Sequence, residues 1–190
     1  MTPLFRLLAI SGSLRAGSTN TLLIGAVAER LSSGVSLTTF TGLDDLPHFS
    51  PERDTDPALP AVRALRQAIR EADAVLICTP EYAFGIPGVL KNALDWTVST
   101  DVFSHKPVAA ISASPSYMGG ERAMASLLPT LTALNTQIPD GCSLVLSSIR
   151  SKMAPDGTIT DADTDAALRR LAEALLTPSP PSGARVTPAQ

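Results

Sequence analysis

Ser11, Ser13, Ser18, Asn20 and Thr21 crowd hydroxyls and an amide around one arginine, Arg15, in the stretch SGSLRAGSTNT. Ser13, Ser18, Asn20 and Thr21 can each donate to a phosphate oxygen. Arg15 adds a charge-assisted bond worth roughly 1.5–3 kcal/mol when made to an ionised group. A helix beginning just behind such a loop adds roughly 0.3–2 kcal/mol through its dipole and its unpaired N–H groups. The set suits one terminal monophosphate dianion. A capped turn that binds nothing is the plainer reading, but a cap needs one such side chain and this stretch supplies several plus Arg15.

The glycines narrow the ligand further. Gly12 and Gly17 have the spacing of a P-loop, but Ser18 stands where its lysine belongs, so nothing here reaches a β- or γ-phosphate. A GxGxxG dinucleotide fingerprint is absent too. Two further stretches carry unusual loops: TPEYAFGIPGVLKNALDW (Thr79–Trp96) and SASPSYMGGERAMASL (Ser112–Leu127). In the first, Pro80 stiffens the chain, Gly85 frees it, and Tyr82 and Phe84 offer aromatic surface to a ligand. Packing of both rings under the loop is the alternative. In the second, Gly119 and Gly120 precede a helix and let backbone approach a flat ligand closely.

The elements that must position these loops alternate. Phe5–Ile10, Val35–Phe40, Ala74–Cys78, Pro107–Ser112 and Ser143–Leu146 read as strands. Thr19–Leu31, Ala61–Glu71, Pro87–Val98 and Glu121–Leu134 read as helices, with another following a capping-box-like Thr160-Asp161-Ala162-Asp163. That alternation predicts an α/β fold: a doubly wound, flavodoxin-like parallel sheet of five strands in the order 2-1-3-4-5, with helices on both faces. In that order the three unusual loops follow strands one, three and four and open side by side at one end. One loop gripping a monophosphate and two offering a flat slot describe a mononucleotide with a large planar ring, and FMN is the candidate.

The motifs GSLRAGSTN, PEYAFGIPGVLKNALDW and GGERA, in this order, resemble the NAD(P)H-dependent FMN reductases of the flavodoxin-like fold, a family that includes quinone, azo-dye and chromate reductases. The resemblance runs from about Phe5 to Leu176. It implies that Ser13, Arg15, Ser18, Asn20 and Thr21, with Ser11 beside them, hold the FMN phosphate. It implies that Pro80, Glu81, Tyr82, Ala83 and Phe84 line the isoalloxazine, and that the segment from Ser114 through Gly119 and Gly120 closes near the ring. NADPH or NADH would deliver hydride to flavin N5, and a quinone, azo dye, free flavin or similar small molecule would take the electrons. No side chain is expected to act as general acid or base. The family implies a homodimer or homotetramer. Ala83 departs from the pattern, standing where the family commonly has asparagine; flavin contacts through backbone N–H survive that change, and contacts through an amide do not.

Composition bounds the rest. The 190 residues, 44% hydrophobic and 17% charged with net charge −3, suit one domain over residues 1–176 followed by a disordered Pro-rich tail, 177–190. The charge is too small to suggest nucleic acid, no run suggests a membrane span, and no signal peptide is evident. A cytoplasmic setting is expected, with Cys78 and Cys142 as buried thiols. His48 and His105 stand alone without metal-ligand spacing, so no metal is expected. The acidic residues Asp44, Asp45, Glu52, Asp54 and Asp56 read as a solvated loop, and Lys91 with Asp95 as a surface pair. Two rivals remain: a flavodoxin-type electron carrier, against which the low net charge and Arg15 argue, and a non-catalytic FMN-binding protein, which Ala83 keeps open.

Overall fold

The computed structural model describes residues 4–117 and 119–177. Residues 178–190 of the expected tail therefore lie outside the described residues. Five parallel strands, β1 (Phe5–Ser11), β2 (Val35–Phe40), β3 (Ala74–Thr79), β4 (Val108–Ala113) and β5 (Ser143–Leu146), form one sheet in the order β2-β1-β3-β4-β5. Five α-helices alternate with them: α1 (Thr19–Ala28), α2 (Pro60–Glu71), α3 (Gly88–Asp95), α4 (Glu121–Ala133) and α5 (Ala162–Leu176). The expected strand order and helix placement are met. Helices α1 and α3 end three residues earlier than their apolar patterns suggested, at Ala28 and Asp95. In α5 the cap is Asp161, whose carboxylate accepts the Thr164 N–H at 2.9 Å, so the capping pair lies one residue beyond Thr160–Asp163.

Strand periodicity separates the core into two layers. Leu8, Ile10, Val75, Ile77, Val108 and Ala110 face α2, α3 and α4. Their neighbours Leu7, Ala9, Leu76, Cys78, Ala109 and Ile111 face α1 and α5. Every residue of β3 and β4 is buried, which is why these strands are apolar apart from Thr79 and Ser112 near their carboxyl ends. Cys78 and Cys142 are free and buried, in the layer under α1 and α5.

The register sets the carboxyl edge. Ser11 lies beside Cys78, Thr79 beside Ser112, and Ala113 beside Leu146, so four strands end level and their loops open together. At the start of that edge's first loop, Gly12 packs so closely on β3 that a Cβ there would sit 2.8 Å from Thr79 Oγ1 and 3.1 Å from Leu90 Cδ2.

The long segment between β2 and α2 is anchored rather than merely solvated. Phe49 N–H donates to Asn92 Oδ1 at 2.8 Å, Trp96 Nε1–H donates to the Pro47 carbonyl at 2.7 Å, and the Phe49 and Trp96 rings meet edge to face at 5.1 Å. Asp44, Asp45, Glu52 and Asp56 are exposed. Asp54 is the exception to the solvated reading: its side chain is only 10% exposed and pairs with Arg66 at 2.8 Å. Arg66 reaches on to the Trp96 carbonyl, tying this segment to the end of α3. Lys91 and Asp95 form the expected pair one turn apart.

Candidate active site

Each wall of the cleft at the carboxyl edge begins with a local sequence device. Ser18 takes an extended conformation (φ −67°, ψ 145°) and its hydroxyl accepts the Thr21 N–H at 3.2 Å, which starts α1. Ser11, Ser13 and Thr21 then knit the preceding turn. Arg15 N–H donates to Ser13 Oγ at 3.3 Å, Ser13 N–H lies 3.4 Å from Ser11 Oγ, and Thr21 Oγ1 lies 3.5 Å from the same oxygen. Asn20 is 3% exposed, and its Oδ1 has no hydrogen-bond partner. A buried amide oxygen left unpaired is costly in a fold this well satisfied, so it marks a place where a ligand or water belongs.

After β3 the chain makes a two-residue hairpin. Tyr82 and Gly85 exchange backbone hydrogen bonds, both 3.0 Å, across Ala83 (φ 47°) and Phe84 (φ 62°). Both central residues are left-handed, the geometry of a type I′ turn that asparagine and glycine adopt most easily. Ala83 therefore sits where side-chain chemistry makes the turn costlier, by roughly 1–2 kcal/mol. Tyr82 (55% exposed) and Phe84 (78% exposed) face outward rather than packing beneath the loop.

Glu81, expected to line the flavin ring, also has a second engagement. Its Oε2 accepts the N–H groups of Gly120, Arg122 and Ala123 at 3.0, 3.0 and 3.1 Å. Gly120 itself caps α4 in a left-handed conformation (φ 104°) with no side chain to offer. The carboxylate of one loop thus supplies the cap of another, at the positive end of the α4 dipole. Beside it, Gly119 leaves room for Ser114; a Cβ at Gly119 would fall 2.0 Å from Ser114 Oγ and 2.5 Å from its Cβ.

A cleft of about 300 Å³ lies between these loops. Eight expected residues line it: Ser13, Arg15, Ser18 and Asn20 from the first loop, Pro80, Glu81 and Tyr82 from the second, and Ser114 from the third. Ser11, Thr21, Ala83, Phe84, Gly119 and Gly120 do not line it; they brace the loops or, as Phe84 does, stand at the rim. Phe84 packs instead under the Arg122 guanidinium, 5.9 Å from the ring centre. Pro115 lines the cleft too, within the expected Ser114–Gly120 segment, whereas Thr19, Ala113, Ile149 and Arg150 line it without having been singled out from the sequence. Thr19 follows directly from its place in the first turn of α1. Ile149 and Arg150 come from the segment after β5, which carries no glycine or motif signal. They are brought in by Ser148 N–H and Ile149 N–H, which donate to the Ser116 and Ser114 carbonyls at 3.0 Å each.

Neither cysteine can join this chemistry, because burial raises both thiol pKa values, that of Cys142 to about 11. Exposed His48 and His105 lie in loops apart from the cleft. The residues present fit a phosphate-bearing planar ligand: N–H groups and cations at one end, and peptide planes and aromatic edges at the other.

Comparison with known proteins gives this cleft its relatives. The NADPH-dependent FMN reductase family profile matches residues 5–150. The chain is 34% identical over 158 residues to an NAD(P)H-dependent FMN reductase of Pseudomonas aeruginosa, spanning 82% of this chain and 85% of that one. It is 29% identical to a quinone reductase of Escherichia coli K12, over 86% and 89% of the two chains. Among solved structures, FerB, a flavoenzyme NAD(P)H:(acceptor) oxidoreductase from Paracoccus denitrificans, superposes with a TM-score of 0.77 at 29% identity, covering 90% of this chain and 94% of that one. With strand order, cleft and family profile in agreement, the chain belongs to the NADPH-dependent FMN reductase family.

Proposed function

We propose that this protein is an FMN-dependent reductase whose acceptor is a quinone or a similar small planar oxidant. The observation that carries the reading is the cleft itself, where the N-terminus of α1, with Arg15 beside it, meets the hairpin after β3. Bound FMN supplies the chemistry that links hydride from NAD(P)H to reduction of the acceptor.

The protein's share is binding and tuning. Ser13, Arg15, Ser18 and Asn20 hold the phosphate, with Thr19 N–H and the α1 dipole behind them. Ser11 and Thr21 support that turn rather than contact the ligand. Pro80, Glu81 and Tyr82 would present backbone along the ring; the Tyr82 N–H is taken by the Gly85 carbonyl and Pro80 has none, so the Glu81 N–H is the one of the three that would stabilise negative charge there. Ala83 and Phe84 shape the hairpin, while Ser114, Gly119 and Gly120 close the third side. Residues 1–176 act as one FMN-binding unit.

The exposed Tyr82, Phe84 and Tyr117 suit burial against a second copy, so we expect a homodimer or a homotetramer, readable by sedimentation equilibrium. No helix among the described residues is long and apolar enough to cross a membrane. The two free thiols suit a cytoplasmic setting.

A visible spectrum of the purified protein with added FMN, followed by anaerobic NADPH, tests the reading. Flavin bands that bleach on adding the nucleotide support a reductase. A bound flavin that fails to bleach moves the protein to the electron carriers, and no bound flavin removes the assignment.

A further inference from the structure

Among the described residues the Arg150 side chain has no ion-pair or hydrogen-bond partner, yet its backbone is held firmly at the cleft. Ile149 before it is fully buried, Ser148 is forced into the left-handed region (φ 53°), and the N–H groups of Ser148 and Ile149 are both tied to the loop after β4. The Lys152 N–H closes the turn on the Ile149 carbonyl at 3.0 Å. Arg150 is itself exposed and, like several surface arginines, belongs to none of the ion pairs among the described residues; what sets it apart is its place in the cleft lining. Arg15 is likewise unpaired. Glu81 is the acidic residue lining the cleft, and its Oε2 is already engaged by three N–H groups. The cleft thus holds two guanidinium groups with no carboxylate committed to either among the described residues.

A single cation leaves a phosphate dianion half-compensated. Two forks from different loops match both its charge and its several acceptor oxygens. We propose that Arg150 is a second cationic ligand of the anion held at the N-terminus of α1, so that the FMN phosphate is met by Arg15 from the loop after β1 and by Arg150 from the segment after β5. The proposal rests on the FMN reading above and assigns a residue to it that no sequence motif marks. It makes Arg150 a determinant of selection for FMN over riboflavin, which has the same ring and no phosphate.

The test is a pair of titrations of flavin-free protein, with FMN and with riboflavin, followed by quenching of flavin fluorescence. Arg150→Ala is expected to weaken FMN by roughly 10- to 100-fold and leave riboflavin unchanged. Arg150→Lys, which keeps the charge and loses the fork, is expected to fall between. The dependence of FMN affinity on salt should also flatten in Arg150→Ala. Equal losses for both flavins, or unchanged FMN affinity, overturns the assignment. So does an effect confined to the KM for NADPH, which would place Arg150 on the hydride donor instead. Wild-type protein without affinity for FMN removes the underlying reading, whereas wild type and Arg150→Ala binding FMN equally removes only Arg150.

Discussion

Glu81 Oε2 lies 3.0 Å from the backbone nitrogen of Gly120, bridging two loops 39 residues apart in the chain. The same oxygen takes the N–H groups of Arg122 and Ala123, so a residue of the loop after β3 closes the open end of α4. Glu81→Ala leaves three helix-start donors unpaired. It is expected to lower stability by about 1.5–3 kcal/mol, read as a drop in Tm. FMN affinity should fall with it, because both loops border the cleft. Glu81→Gln keeps an acceptor oxygen and should lose less; a Tm unchanged in the alanine variant would show that the bridge does not hold in solution.

Arg15 is exposed and has no acidic partner among the described residues, so its loss should register in binding rather than in folding. Arg15→Ala is expected to weaken FMN by ~2–3 kcal/mol, about 30- to 150-fold, from loss of a charged hydrogen bond. An unaltered dissociation constant in a fluorescence titration would remove Arg15 from the phosphate site.

Ala83 occupies a left-handed position, φ 47°, without glycine's freedom or asparagine's tolerance. Replacing it with glycine or asparagine should stabilise the protein by ~0.5–1 kcal/mol, as strain in the hairpin is relieved. Chemical denaturation measures this directly, and destabilisation by both substitutions would contradict the observed turn.

Asp54 and Arg66 give a pH signature. Burial works against the Asp54 carboxylate, but the Ser99 hydroxyl and the Arg66 guanidinium outweigh it and hold the pKa below its ordinary 3.8. The folded state therefore prefers the ionised form. Its stabilisation is present in full above the unfolded pKa of ~3.9 and is lost as pH falls through the lower folded value. Asp54→Asn should be less stable than wild type at neutral pH and lose less stability on acidification below about pH 4. Parallel stability curves for the two proteins would show that the pair makes no such contribution.

Both thiols should resist modification. Cys78 and Cys142 are fully buried and their raised pKa values keep them protonated. Folded protein at pH 8 is expected to react negligibly with a disulfide reagent such as DTNB, releasing two equivalents only on unfolding. Rapid reaction of the folded protein would mean that one of the two layers opens readily.

Local sequence determined most of this molecule, because most of its signals are local. Alternating apolar runs specify the strands, and Ser18 and Pro60 mark helix starts where a cap or a preset φ is needed. Ser13, Arg15 and Asn20 lie close enough in sequence to be read together as an anion-binding turn, and the five-strand alternation was enough to infer the 2-1-3-4-5 order. The tertiary structure decided what depends on distant contacts. Asp54 looks like one more acid in a polar loop until Arg66 from α2 and Ser99 from the turn beyond α3 arrive to pair with it. Glu81 is legible in the sequence only as a candidate ring contact; its second engagement appears when α4 brings three unpaired N–H groups to its carboxylate. Arg150 follows a short edge strand and carries no spacing signal, and only the level register of β4 and β5 brings it to the cleft. Periodicity and capping act within a few residues and are written in the chain, whereas pairing of a charge depends on which surfaces the sheet brings together, and that is settled only by folding.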